Sequence, residues 1–188
     1  MPTRLLLIAH GATDATRGAA FPLDEPIEAA ARTAATALRP DLMPAHRACT
    51  APERRCRETA EALGLAAEPQ PQLADLDVGR WRGKTFDAVL ATDPAAIAAW
   101  TADPASPTHG GESIDEMLAR IRPWLEQQRQ AGEKVIAVTH PAVIRAAVVV
   151  AIGAPSSSFW RIDIGPLTRV DLRGDERRWT LRGIVAAP

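Results

Sequence analysis

Arg4-Leu5-Leu6-Leu7-Ile8-Ala9 runs directly into His10-Gly11-Ala12-Thr13, and this stretch decides the fold. A short apolar run that is rich in branched side chains and ends abruptly in small and polar residues is typical of a buried strand followed by a loop. In an open parallel sheet, ligands bind at the carboxyl ends of the strands. The stretch therefore predicts a buried strand with a ligand-binding loop at its end.

A second junction of the same kind lies far downstream. Residues 134–139 form another apolar, branched run that leads into His140, and Pro141 then opens an apolar helix. Each histidine taken alone is as well explained as a capped or solvated side chain. Two buried strands that both end in a histidine place two imidazoles on one edge of one sheet, and the pair favours a site.

The composition is that of an ordinary globular domain. The chain has 188 residues, of which 46% are apolar and 24% charged, and its formal net charge is -1. This suits one domain over residues 1–188 and gives no basic field for nucleic acid. No segment approaches the roughly 20 apolar residues that span a bilayer, and the first residues lack a signal-peptide pattern. Cys49 and Cys56 lack the spacing of a metal or disulfide framework, so we expect reduced cysteines in a cytoplasmic protein.

Helices and strands alternate along most of the chain. Apolar periodicity and capping residues predict helices over residues 27–38, 51–64, 86–90, 95–101, 113–132 and 141–152, with a kink or a break at Pro123. Strand-like runs occupy residues 4–9, 46–50, 134–139, 159–164, 167–172 and 179–185. This order predicts an α/β fold, a three-layer α/β/α sandwich whose mostly parallel central sheet gains an antiparallel edge strand near the end of the chain. Residues 84–111 read as a small helical insertion.

Further polar residues are expected at the same edge of the sheet. Thr50 ends a strand, and Arg55 lies on the first turn of the next helix, so its guanidinium can reach the crevice. Asp75 lies in an irregular stretch that can overhang it. The helix N-termini after Thr50 and His140 favour an anion, phosphate above all.

These residue types suit phosphoryl transfer. A neutral imidazole is a competent nucleophile towards phosphorus, while a second histidine and an arginine can stabilise the charge on the equatorial oxygens. A carboxylic acid can protonate the leaving alkoxide. None of this requires a metal, and the sequence contains no H-E-x-x-H, aspartate-rich cluster, G-x-x-x-x-G-K-[ST] or G-x-G-x-x-G motif. We therefore expect no metal and no cofactor.

Five blocks resemble those of the histidine phosphatase superfamily, the phosphoglycerate mutase-like branch 1 group. Members open with a strand that ends in arginine-histidine-glycine, and their second block reads serine-serine-proline-leucine-x-arginine-alanine-x-glutamine-threonine-alanine. The later blocks are leucine-x-glutamate with glycine-x-tryptophan-glutamate-glycine, then glycine-glycine-glutamate-serine, then serine-histidine-glycine-glycine-valine-isoleucine-arginine after a strand. The corresponding stretches, in the same order, are residues 9–13, 50–60, 73–75 with 79–83, 110–113 and 139–145. The resemblance covers nearly the whole chain and implies a phosphoglycerate mutase-like fold.

The resemblance also implies roles for single residues. His10 corresponds to the phosphorylated nucleophile, Arg55 and His140 to the phosphoryl clamp, and Asp75 to the proton donor. Thr16 falls where many members carry a phosphate-binding asparagine, although a packing role is an equal alternative. The residues expected to bind substrate are Gly11, Thr13, Thr16, Arg17, Trp81, Pro141 and Ala142.

Three departures from the family pattern make the site poorer in donors. Ala9 replaces the arginine before the nucleophile, Pro141 replaces a glycine whose N–H can bind phosphate, and Asp75 is one methylene shorter than the usual glutamate. One charged hydrogen bond contributes roughly 1.5–3 kcal/mol, so losing the arginine should weaken transition-state binding about ten- to a hundredfold. Arg17, on a flexible loop, is a candidate substitute, with a solvated surface arginine as the alternative.

We therefore predict a phosphomonoesterase that acts on a small phosphorylated metabolite, such as a sugar phosphate or an α-ribazole-type phosphate. The alternative is a catalytically weak or inactive phosphoester-binding protein on the same fold, and a mutase is less favoured. The expected partner is a small phosphorylated substrate or inorganic phosphate, with no nucleic acid and no membrane, in a monomer or homodimer. His46 is expected to be structural or solvated, whereas the loop that carries His109 can approach substrate.

Overall fold

The computed structural model describes residues 2–187, in which six strands form one mixed sheet. The strands are β1 (Thr3–Ala9), β2 (Arg47–Thr50), β3 (Ala67–Pro69), β4 (Lys134–Thr139), β5 (Arg169–Gly174) and β6 (Trp179–Val185). Their spatial order is β3-β2-β4-β1-β5-β6. The strands β3, β2, β4 and β1 are parallel to one another, whereas β5 is antiparallel to β1 and β6 is antiparallel to β5. The predicted α/β fold with a mostly parallel sheet and an antiparallel edge is confirmed.

Seven α-helices flank the sheet within the described residues. They are α1 (Asp14–Arg17), α2 (Ala29–Ala37), α3 (Arg54–Ala62), α4 (Phe86–Thr92), α5 (Pro94–Ala102), α6 (Ile114–Ala131) and α7 (Pro141–Ile152). Helices α2 and α3 pack together, as do α6 and α7, while α4 and α5 form the helical segment predicted near residues 84–111. No helix within residues 2–187 combines the length and the apolar character needed to cross a membrane.

Strand β1 is apolar from Leu5 to Ala9, the part of the strand that is covered by neighbouring strands on both sides and packed on both faces of the sheet. It lies between β4 and β5, and the side chains of Leu5, Leu7 and Ile8 have no solvent exposure. A strand buried on both faces is expected to be a continuous hydrophobic run rather than an alternating one. The same reasoning applies to β4, in which five of the six residues are buried.

The register between β1 and β4 brings the two histidines together. Ala9 lies opposite Thr139 in this parallel pair, so the next residues, His10 and His140, leave the sheet side by side. The backbone N–H of His10 donates to the Thr139 carbonyl at 2.9 Å, which extends the pairing one residue into the loop. The sequence prediction that both histidines lie at one edge of the sheet is confirmed by this register.

Residues 159–164 do not form the predicted strand. The segment instead forms a 3-10 helix at Ser156–Arg161, preceded by Pro155. The side chain of Phe159 is buried, and Trp160 packs on Trp100 with ring centroids 4.5 Å apart. The apolar and aromatic residues that suggested a strand are therefore explained by packing against the helical segment, not by pairing in the sheet.

Other boundaries also differ from the sequence prediction. Strand β3 was not expected, because it is short and mostly exposed. Helix α3 begins at Arg54 instead of residue 51, since the N–H of Ala51 still donates to the Val138 carbonyl and Glu53 is extended. Pro123 was predicted to cause a kink or a break, and the break is wrong because α6 is continuous through it. Pro123 lies on the exposed face of α6, where water can hydrate the carbonyl that loses its partner.

Candidate active site

His10 and His140 face each other at the carboxyl end of the sheet. Their ring centroids are 5.2 Å apart and their planes are inclined by 65°. His10 is 7% exposed, and His140 is fully buried. Nδ1 of His10 lies 2.8 Å from the carbonyl oxygen of Gly11, which can only accept, so Nδ1 carries the proton in the neutral ring. The lone pair is therefore on Nε2.

Burial keeps His10 in its neutral form. Desolvation is the main cause that lowers its pKa, and the neighbouring His140 and Arg55 lower it further. The hydrogen bond to Gly11 and the charge of Asp75 act in the opposite direction but are outweighed, and the pKa falls to about 4. His10 is therefore a neutral, nucleophilic imidazole over the whole neutral range.

Arg55 and Asp75 form an ion pair beside the two histidines. Nη2 of Arg55 donates to Asp75 Oδ2 at 2.6 Å, and Nη1 donates to the Leu23 carbonyl at 3.1 Å. The Nε–H of Arg55 is buried and has no hydrogen-bond partner within the described chain. Asp75 Oδ2 also lies 3.3 Å from Nδ1 of His140. Burial alone would raise the pKa of Asp75, but the charges of the histidines and Arg55 prevail and lower it.

Glu53 is a site residue that the sequence analysis did not identify. Its Oε2 lies 2.9 Å from Nε2 of His140, and its Oε1 accepts from the backbone N–H of Asp75 at 3.0 Å. Burial by itself would raise the pKa of Glu53, but the hydrogen bond from His140 and those from the backbone lower it. In the family block that resembles residues 50–60, this position is a leucine. The replacement of that leucine by a carboxylate could have identified Glu53 as a site residue from the sequence.

The loop after β1 is fixed by hydrogen bonds of its own. The N–H of Gly11 donates to Oγ1 of Thr59 at 2.9 Å, so it already has a partner. Thr13 is the N-cap of α1, with its Oγ1 accepting from the N–H of Thr16 at 3.2 Å. The same hydroxyl donates to Glu25 at 3.0 Å. Thr13 and Thr16 both line the cavity that contains His10.

Helix α7 begins directly after His140 and completes the site. Pro141 occupies its first turn and, having no N–H, offers no donor there. Pro141 and Ala142 both line the cavity. Ala9 is fully buried at the end of β1, at the position where the family pattern has an arginine.

Arg17 does not approach the site. It forms an ion pair with Glu28, and its side chain is 74% exposed. The sequence hypothesis that Arg17 substitutes for the missing guanidinium therefore has no support from its position. A paired, solvated arginine was the stated alternative, and the structure agrees with it.

Trp81 is not on the cavity wall, which corrects the expectation that it binds substrate. It is 1% exposed and packs against Phe21, Trp100 and His109, with ring centroids 5.0–5.3 Å apart. His109 is likewise buried, and desolvation lowers its pKa. Neither side chain lines the cavity. The backbone at Gly79 packs tightly against the loop that carries His109. A Cβ on Gly79 would come within 2.3 Å of the His109 carbonyl oxygen.

The two cysteines are free, buried and unreactive. Burial raises the pKa of Cys49 to about 11 and that of Cys56 well above its ordinary value. Sγ of Cys56 lies 3.3 Å from Nε2 of His140 and packs against that ring as a neutral thiol. Within residues 2–187 there is no cluster of three or more histidine, cysteine, aspartate or glutamate side chains that could hold a metal ion.

Comparison with known protein families decides the classification. Residues 5–186 match the family model described as histidine phosphatase superfamily, branch 1. The chain belongs to this superfamily. The resemblance seen in the five sequence blocks is thereby confirmed.

Some of the curated relatives are named as phosphatases of small molecules. Glucosyl-3-phosphoglycerate phosphatase of Mycobacterium tuberculosis is 31% identical over 137 residues, 66% of this chain and 59% of the relative. Phosphoserine phosphatase 1 of Hydrogenobacter thermophilus is 27% identical over 124 residues, 64% of this chain and 59% of the relative. The chain spans between 51% and 59% of the length of the first curated relatives that it matches.

Solved structures show the same fold over nearly the whole chain. Mycobacterial glucosyl-3-phosphoglycerate phosphatase in complex with VO3 superimposes with a TM-score of 0.87 at 27% identity, covering 98% of this chain and 99% of that one. The same mycobacterial enzyme has been solved with inorganic phosphate, with a TM-score of 0.83 at 25% identity over 98% and 97% of the two chains. That relative therefore binds the tetrahedral anion and its vanadate analogue.

The burial of His10 predicts a specific dependence of stability on pH. The pKa of His10 is about 4 in the folded protein against 6.5 for an ordinary histidine, so the unfolded chain binds more protons between these values. The contribution of His10 is complete above pH 6.5 and is lost as the pH falls towards 4. Over that range the free energy of unfolding of the wild type should fall by about 3 kcal/mol more than that of His10→Gln.

Urea denaturation at several pH values measures this difference. His46→Gln is the matched control, since His46 is exposed. This control should follow the wild type at every pH. A gap between wild type and His10→Gln that does not change with pH would contradict the assigned burial of a neutral His10.

Glu53 predicts a second effect on stability. Glu53→Ala leaves Nε2 of the buried His140 and the N–H of Asp75 without their carboxylate partner, and such a loss costs about 1–3 kcal/mol. The midpoint of urea denaturation should fall accordingly. Glu68→Ala, at an exposed position on β3, should change stability by less than about 0.5 kcal/mol. Equal stability of both variants would show that the Glu53 contacts are not formed in solution.

Proposed function

We propose that this histidine phosphatase hydrolyses a small phosphomonoester through a phosphohistidine intermediate on His10. The observation that carries the proposal is the neutral His10 with its Nε2 lone pair, placed 5.2 Å from the His140 ring and next to Arg55 and Asp75. The buried, unpartnered Nε–H of Arg55 supports it, because a phosphoryl oxygen is a suitable acceptor for that donor.

In the proposed first step, Nε2 of His10 attacks phosphorus. The N–P bond forms as the P–O bond to the alcohol breaks, and Asp75 delivers the proton that the leaving alkoxide takes up. Arg55 and His140 stabilise the charge on the non-bridging oxygens. Asp75 is ionised in the unliganded site, and a phosphate anion beside it favours its protonated form, because like charges repel. Water then attacks phosphorus, Asp75 accepts its proton, and inorganic phosphate leaves with His10 restored.

The proposal needs no metal ion, since each step uses a side chain of this chain. Small phosphorylated metabolites are the proposed substrates, supported by relatives named for phosphoserine and glucosyl-3-phosphoglycerate. We further propose a cytoplasmic location, which two free and buried cysteines support. A monomer or a homodimer remains the prediction for the assembly.

A second candidate function is a weak phosphoester-binding protein. Ala9 and Pro141 each remove a donor that the resembling family has, and Arg55 is already engaged by Asp75. Glu53 adds a further carboxylate next to His140. This excess of acceptors over donors is the specific observation in favour of binding with little turnover.

Hydrolysis of p-nitrophenyl phosphate tests the first proposal. The wild type should release phosphate, and His10→Ala should lower kcat by at least about 10³-fold, because removing a nucleophile that acts with its neighbours abolishes most of the catalysis. His46→Ala is the matched control and should keep the wild-type rate. Equal rates for wild type and His10→Ala would reject the phosphohistidine mechanism.

Restoring the arginine tests the second candidate. If the missing guanidinium limits the site, Ala9→Arg should raise vanadate affinity and turnover about ten- to a hundredfold. Ala66→Arg adds the same side chain at an exposed position and should change neither. Circular dichroism is used to check that both variants are folded. If folded Ala9→Arg has wild-type affinity and turnover, the lost arginine does not weaken this site.

A further inference from the structure

The cavity above His10 has walls that are mainly apolar and aromatic. Its volume is about 280 Å³, enough for a small organic phosphate and no more. Phosphoryl-site residues, namely His10, Thr13, Thr16, Asp75 and Pro141, line part of it. The remaining wall is built mainly from Phe21, Pro22, Leu76, Val78, Trp100, Ala142, Phe159 and Trp160. Such a wall favours a flat, apolar alcohol portion over a polyhydroxylated one.

Arg145 is the one cationic side chain that the described residues contribute to this wall. Its Nε donates to the Ile162 carbonyl at 2.8 Å, and within the described chain it forms no ion pair. The two cavity carboxylates are engaged elsewhere, Asp75 with Arg55 and Glu25 with Thr13 and the Leu23 N–H. Desolvation lowers the pKa of Arg145, and the charge of Asp163 offsets this only in part.

The guanidinium of Arg145 is held beside two aromatic rings of the wall. Its Cζ lies 5.9 Å from the Phe159 ring centroid and 5.8 Å from that of Trp160. Arg145 follows Pro141 by one helical turn on the same face of α7, which places it about 6 Å further along the helix axis. The unused Nη groups are a fixed fork that suits a carboxylate.

We propose that Arg145 and the aromatic wall form a subsite for the leaving group, and that the substrate is an aromatic phosphomonoester with a carboxylate on the side of the ring opposite the phosphate. The proposal rests on the proposed function, since the phosphate must occupy the His10 end of the cavity. The ring stacks on the aromatic wall, and the carboxylate accepts from the Arg145 fork. A para-substituted ring holds its two charged groups apart by a distance comparable to one helical turn.

Calorimetry with phosphonates tests this subsite without relying on catalysis, because their C–P bond is not hydrolysed. The probes are 4-phosphonobenzoate, phenylphosphonate, which lacks the carboxylate, and 3-phosphonopropionate, which lacks the ring. Each is titrated into wild type, Arg145→Gln and Arg161→Gln. Arg161 is an exposed arginine on the neighbouring 3-10 helix and controls for a general loss of positive charge.

Wild type and Arg161→Gln should bind 4-phosphonobenzoate at least about tenfold more tightly than phenylphosphonate, as expected for a hydrogen bond between charged groups. Arg145→Gln should bind the two equally while keeping the wild-type affinity for phenylphosphonate. Both 4-phosphonobenzoate and phenylphosphonate should bind wild type more tightly than 3-phosphonopropionate, because they use the aromatic wall.

Several results would overturn the subsite. If Arg145→Gln weakens phenylphosphonate as much as 4-phosphonobenzoate, Arg145 binds the phosphoryl group or supports the fold. Equal affinities of wild type for these two probes, or no binding of either, reject the carboxylate contact. If wild type binds 3-phosphonopropionate as tightly as 4-phosphonobenzoate, the proposed contact between the substrate ring and the aromatic wall is rejected. Failure of p-nitrophenyl phosphate hydrolysis with this selectivity intact would reject the proposed reaction and leave the subsite standing.

Discussion

The parallel pairing of β1 with β4 is the constraint on which the site depends. Its register sets Ala9 against Thr139, so the two chains leave the sheet at the same level and two histidines far apart in sequence become neighbours. Both strands are buried on both faces, and a slip by one residue would exchange the side chains of the two faces and disrupt their packing against the flanking elements. The hydrophobic core therefore fixes the geometry of the polar site.

Burial and neighbouring charges reinforce each other at some polar groups of this site and oppose each other at others. For His10, desolvation prevails and its pKa falls to about 4. For Asp75 and Glu53, desolvation is outweighed by cationic and hydrogen-bonding neighbours, and both pKa values fall. The result is a neutral imidazole on His10 beside ionised carboxylates on Asp75 and Glu53. His10 can therefore act as the nucleophile, while the carboxylates hold Arg55 and His140 in place.

The site has fewer donors and more acceptors than the related family pattern implies. Ala9 and Pro141 each lack a donor, and Glu53 contributes a carboxylate that contacts both His140 and the backbone of Asp75. Arg55 is the buried guanidinium that remains at the phosphoryl end. Arg145 lies one helical turn beyond Pro141 on α7 and forms no ion pair within the described chain, so Arg55 and Arg145 offer positive charge at two separate positions of the site.

Local sequence patterns determined β1, β4, the alternation of helices and strands, and the placement of His10, Arg55, Asp75 and His140 at one edge. These depend on hydrophobic periodicity and on chain order, which are written in the sequence itself. Only the tertiary structure decided that residues 159–161 belong to a 3-10 helix, that Trp81 lies behind the cavity wall, that Arg145 lines the cavity and that Glu53 contacts His140. Each of these depends on contacts between segments distant in sequence, and no local pattern encodes which neighbour a side chain meets.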